Sequence, residues 1–74
     1  MWIVCQDKLV NSDRLEAICV QGGENDSSIV GYYANDPYET PVPLGSYSTQ
    51  SIANVRYRML IEALDDGCNV FKML

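Results

Sequence analysis

Apolar residues recur along this chain with two different periods, and the change of period marks a change of structure. Near the start, "WIVCQ" (residues 2–6) is a nearly continuous apolar run, which predicts a short strand buried on both faces. "DKLVNSD" supplies a turn, a brief strand at Leu9 and Val10, and a second turn over Asn11 to Asp13. Alternation then takes over in "LEAICVQ", where a regular pleat sets Ile18 and Val20 on one side and Leu15, Ala17 and Cys19 on the other. The loop "GGENDSS" and the returning run "SIVGYYA" make residues 15–34 a predicted hairpin. Three prolines (Pro37, Pro41 and Pro43) keep "NDPYETPVP" out of regular structure, because each fixes φ and removes a backbone donor. "LGSY" (residues 44–47) reads as a short edge strand, or one bulged at Gly45.

From about residue 50 the period lengthens to that of a helix. Ser48 or Thr49 can cap its start, and Gly67 is placed to close it in the left-handed conformation. "NVFKML" follows as a last strand. The order β-β-β-β-α-β predicts a single α+β domain, an antiparallel sheet of four to five strands with one α-helix over about residues 50–66 packed on one face.

On a helical wheel, Asn54, Arg58, Glu62, Asp65 and Asp66 share one polar arc. Ile52, Ala53, Val55, Tyr57, Met59, Leu60, Ile61, Ala63 and Leu64 fill the rest, a stripe about twice the width that one sheet needs. Either the sheet wraps around the helix or a second surface, such as another subunit, covers the remainder. Arg56 falls inside the stripe, and three readings stay open. Its methylenes cover apolar surface while the guanidinium reaches water; an acid such as Asp7, Asp13 or Glu16 meets it; or it holds a phosphate or carboxylate ligand.

Composition narrows the chemistry. Ten acids against five bases give a net charge of −5, which argues against direct binding of nucleic acid or anionic membranes and allows attraction to a basic protein surface. No apolar run is long enough to span a bilayer, and the opening lacks the basic segment of a secretion signal. Cys5, Cys19 and Cys68 are odd in number and widely spaced, as expected of reduced thiols in a cytoplasm. Histidine is absent and no C-x-x-C occurs, so no metal site is expected. The same lack removes the usual general base and the Ser-His and Cys-His pairs. No catalytic residues, no cofactor and no enzyme activity are expected. Tyr32, Tyr33, Tyr38 and Tyr47 lie around the proline-rich loop, suited either to finishing a thin core or to lining a binding surface.

Two short segments carry a resemblance. Met1, Trp2, Ile3, Gln6, Asp7 and Lys8 match an M-W-I-x-x-Q-D-K opening, and Leu44, Gly45, Tyr47 and Thr49 match an L-G-x-Y-x-T segment before a single helix. Together they resemble a set of short accessory proteins of Firmicutes and their phages. The resemblance implies a phage or mobile-element anti-defence protein in the host-cell cytoplasm, acting by stoichiometric binding. One form of that role is a homo-oligomer that sequesters a small nucleotide immune signal, for which Arg56, Tyr32, Tyr47 and Gln6 are the candidate ligand residues. The other is a protein-binding inhibitor or adaptor that blocks a host defence or regulatory protein through the acidic surface and the tyrosine-rich loop.

Overall fold

The computed structural model describes residues 1–34 and 41–73, so most of the proline-rich connection and Tyr38 lie outside the described residues. The fold is α+β. Strands β1 (Trp2–Val4), β2 (Leu9–Asn11), β3 (Leu15–Gly23), β4 (Asp26–Tyr33) and β5 (Val42–Tyr47) precede helix α1 (Gln50–Asp65), and β6 (Val70–Lys72) follows it. The strands form two three-stranded sheets rather than one, in the orders β2-β1-β6 and β3-β4-β5. A single turn of 3-10 helix, Ser12–Arg14, separates β2 from β3, and its Asn11 cap accepts the Asp13 amide. That turn ends the first ladder. The pairing of β6 with β1 is parallel, against the antiparallel expectation, because the chain reaches β6 only after crossing the core along α1.

Helix boundaries follow their capping chemistry. Thr49 is extended and its hydroxyl accepts the Ile52 amide, satisfying a first-turn donor. At the other end the Cys68 amide donates to the Ala63 carbonyl at 3.0 Å and the Gly67 amide to the Leu64 carbonyl at 3.2 Å. This double closure needs a left-handed residue between the two, and Gly67 supplies it with φ of 72°.

Strand register departs from simple alternation at one decisive point. Leu15 pairs with Tyr33 but Ala17 pairs with Tyr32, so Glu16 is an extra residue on β3. Such a bulge reverses the facing of everything before it. Leu15 therefore joins Ile18 and Val20 on the inner face, correcting the expectation that it would sit with Ala17 and Cys19. Its side chain lies over Gly31, where an added Cβ would come within 2.9 Å of Leu15 Cδ1. A second irregularity, opposite Ile29 and Val30, lets β5 run from Pro43 to Gly45 along the outer edge.

One core joins both sheets. Ile3 and Val10 from the first sheet, Ile29 and Leu44 from the second, and Leu60 from α1 are buried together with Cys5 and Met73. Leu15, Ile18, Val20, Tyr47, Tyr57 and Phe71 pack around them. Strand β1 is not buried on both faces as its apolar run suggests. Ile3 is fully buried but Trp2 is 50% exposed, because nothing among the described residues covers the outer face of β2-β1-β6. Trp2, Leu9 and Val70 share that face by register.

The fit between Leu15 and Gly31 is testable. Gly31→Ala is expected to cost about 1–3 kcal/mol in urea unfolding, by crowding Leu15. In a Leu15→Ala background the added methyl has room, and the same substitution should cost less. Equal costs in both backgrounds would show that the bulge does not carry Leu15 over the glycine.

Candidate functional site

Arg56 and Tyr57 are consecutive on α1 and point about 100° apart, and each reaches the edge of a different sheet. In the first sheet the Trp2 amide donates to the Asn69 carbonyl and the Met73 amide to the Val4 carbonyl. Alternation then turns the main-chain groups of Val70 and Lys72 away from β1, towards the open edge. The Arg56 Nη2 donates to that outward Lys72 carbonyl at 3.2 Å, and its guanidinium carbon stands 6.0 Å from the centre of the Phe71 ring. Nη1 also lies 3.8 Å from the Met59 sulfur. The charge inside the apolar stripe is thus half-buried against β6. Of the three readings, a structural partner has direct support, and the partners seen among the described residues include a main-chain carbonyl and an aromatic ring.

Tyr57 does the corresponding thing at the second sheet. The Gly23–Asp26 pair closes a two-residue loop and must be hydrogen-bonded, so counting back along β3 leaves the main-chain groups of Ile18, Val20 and Gly22 facing outwards. The Tyr57 hydroxyl donates to the Ile18 carbonyl at 3.1 Å. No sequence pattern marked Tyr57 beyond its place in the stripe next to Arg56.

The other candidate residues separate. Tyr47 faces inwards and its hydroxyl donates to the Met73 carbonyl at 2.7 Å, so Tyr47 and Arg56 converge on successive carbonyls after the start of β6. Gln6 is exposed in the four-residue connection between β1 and β2, at the same end of that sheet. Tyr32 is elsewhere. It lies on the face of β3-β4-β5 turned away from α1, where the Gln21 side-chain amide donates to its hydroxyl. That bond spans the Cys19–Val30 pair and accounts for the burial of Val30 outside the core. Three of the four therefore lie at one end of the first sheet, and two of those spend their polar atoms on the fold itself.

The excess width of the apolar stripe is resolved into two flanks. The centre of the helix face, Ala53, Leu60 and Ala63, is buried. Ile52, Val55 and Met59 remain exposed on the Arg56 side, with Val55 57% exposed. Ile61 and Leu64, 47% and 44% exposed, stand on the Tyr57 side. There they form one wall of a groove of about 280 Å³ whose other wall is the first half of β3, with Ser12, Leu15, Glu16 and Ile18. Its floor is apolar and the charge on its wall is the Glu16 carboxylate, a poor setting for a phosphate. Among the described residues no group of three or more potential metal ligands comes together, and no helix is long and apolar enough to cross a membrane.

The three thiols occupy graded environments, from buried Cys5 through Cys19 to exposed Cys68. Burial pushes the Cys5 thiol above its ordinary pKa, with Lys8 opposing and Asp7 adding to the shift. Comparison with protein families, with characterised proteins and with solved structures yields no match to this chain.

Arg56→Ala is expected to lower stability by about 2 kcal/mol, through loss of a charge-assisted bond and of cover for Phe71. Tyr57→Phe should cost about 1 kcal/mol. Chemical denaturation measures both, and an unchanged midpoint in either would contradict its edge-binding role. Iodoacetamide should label Cys68 first and Cys5 last. The raised Cys5 pKa means that the fold favours the neutral thiol. This contribution to stability is present below the ordinary thiol range and is lost as pH rises through the higher folded value. Mass-spectrometric labelling that finds Cys5 as reactive as Cys68 at neutral pH would contradict this.

Proposed function

We propose that this protein acts by stoichiometric, non-catalytic binding of a protein target, through the exposed apolar flank of α1 formed by Ile52, Val55 and Met59. The observation that carries this reading is the flank itself. A chain of 74 residues has little apolar surface to spare, yet it leaves Val55 more than half exposed beside two further apolar side chains. A net charge of −5 favours a target surface that is basic around an apolar centre. The resemblance to phage accessory proteins makes a host defence or regulatory protein the expected target class, and an anti-defence role the expected consequence of blocking it.

Sequestration of a nucleotide signal is the second reading, since the Arg56 guanidinium and the Tyr47 hydroxyl each donate to a main-chain carbonyl. A ligand would share these groups with the fold and bring phosphate charge to an acidic protein. The lack of histidine also favours binding over catalysis.

Two measurements separate the readings. Native mass spectrometry with a panel of cyclic nucleotides and ADP-ribose derivatives should show no discrete ligand mass. Retained nucleotide adducts that vanish in Arg56→Ala would replace the protein-binding reading with the nucleotide one. Affinity purification from host cells should recover a defined protein in constant ratio to the wild type, and lose it with Val55→Arg. That variant should unfold at nearly the wild-type midpoint, since the side chain already faces water. A partner retained by Val55→Arg would move the binding surface elsewhere.

A further inference from the structure

We propose that a second copy of this chain pairs with the open edge of β3, making a two-fold symmetric dimer with a continuous six-stranded sheet and the two α1 helices side by side on one face. This deepens the stoichiometric reading above by giving the binding unit its oligomeric state, and it uses a different surface from the Val55 flank.

The edge is suited to it. Strand β3 runs for nine residues, and no strand among the described residues pairs with its outer side. Ile18, Val20 and Gly22 direct their main-chain groups outwards there. The bond from Tyr57 occupies one lone pair of the Ile18 carbonyl and leaves the other for a strand.

Charge selects the register. An antiparallel pairing centred on Cys19 sets Ile18 opposite the partner's Val20, both on the inner face and both offering outward amides and carbonyls. It also carries Arg14, just before the Glu16 bulge, to the tip of the partner's hairpin, where the partner's Glu24 sits. A register centred on Val20 would instead set Glu16 against the partner's Glu24, and like charges directly opposed are unfavourable. The Cys19 register is the complementary one.

The helices fit the same arrangement. Helix α1 packs most closely on β3 and β4. With strands about 4.8 Å apart, a helix that covers β3 and β4 and extends towards β5 places the two axes roughly 10–13 Å apart across the dyad, within reach of side-chain contact. Ile61 and Leu64, the exposed wall of the groove, are the residues that would meet their partner's counterparts there. Strand edge and groove wall from two copies give an interface on the order of 1,000 Å², the lower bound for a specific complex.

On the dyad, Cys19 faces the partner's Cys19 as a non-hydrogen-bonded pair, the closer of the two antiparallel pairings. This gives a direct probe. In a Cys68→Ser background, diamide, which accepts the two electrons and two protons that the paired thiols release, should join two chains through Cys19. Native mass spectrometry at micromolar concentration should show a dimer, weakened roughly tenfold by Arg14→Glu and restored by adding Glu24→Arg to that variant. Ile61→Lys should weaken it independently, at a position already exposed.

A monomer at these concentrations would overturn the proposal, as would a dimer that neither cross-links through Cys19 nor responds to Arg14→Glu. Target recovery is scored in parallel. A monomer that still captures its partner through Val55 leaves the proposed function standing without the β3 dimer. A dimer that captures nothing leaves the interface standing without that function.

Discussion

One helix has to close a core between two sheets, and each sheet of three strands has edges whose amides and carbonyls still need partners. Much of this structure follows from how α1 meets that double demand. Its buried centre, Ala53 with Leu60 and Ala63, uses small residues beside one large one so that the helix can sit close to the strands. On either side of this centre, Arg56 and Tyr57 extend to outward carbonyls, one on β6 and one on β3. Open strand edges are sites of unwanted pairing, and covering them with charge or with a helix is the usual protection. Here α1 caps one carbonyl on each edge and leaves the outward groups of Val20 and Gly22 on β3 available for pairing.

The charge in the apolar stripe then has a physical explanation. A guanidinium on this side of α1 meets a carbonyl acceptor and the face of an aromatic ring. Tyr47 adds a second tie from β5 to the Met73 carbonyl, so the segment Lys72–Met73 is bonded to both the helix and the other sheet. The short β6, only three residues long, depends on these side-chain bonds as well as on its ladder with β1. Tyr47 and Arg56 thus tie β5 and α1 to the first sheet.

The parts of the fold legible in the sequence are those set by local chemistry. Thr49 and Gly67 bracket the helix, and the Gly-rich run after Gln21 marks the hairpin, because caps and tight turns are decided by a few adjacent residues. The bulge at Glu16 was not legible, since nothing in "LEAIC" distinguishes an extra residue from an ordinary one. Its consequence, Leu15 over Gly31, emerges only when two strands are laid side by side. Nor could the division into two sheets be read, because strand signals do not name their partners. Arg56 stands out by its position on the wheel, but one acceptor is a main-chain carbonyl sixteen residues away, and a carbonyl carries no residue identity. Tyr32 and Tyr47 share a residue type and Gln6 belongs to the opening motif, but the topology sets Tyr32 on the far face of the sheet.

Residue-resolved amide hydrogen exchange along β3 tests the account most directly. An isolated chain leaves the Val20 amide facing solvent while the neighbouring Cys19 amide is held in the ladder with β4. In the assembled protein both should be protected, Val20 almost as strongly as Cys19, and dilution should release Val20 alone. Fast exchange at Val20 at every concentration, beside a protected Cys19, would show that the edge of β3 stays open and would contradict the account.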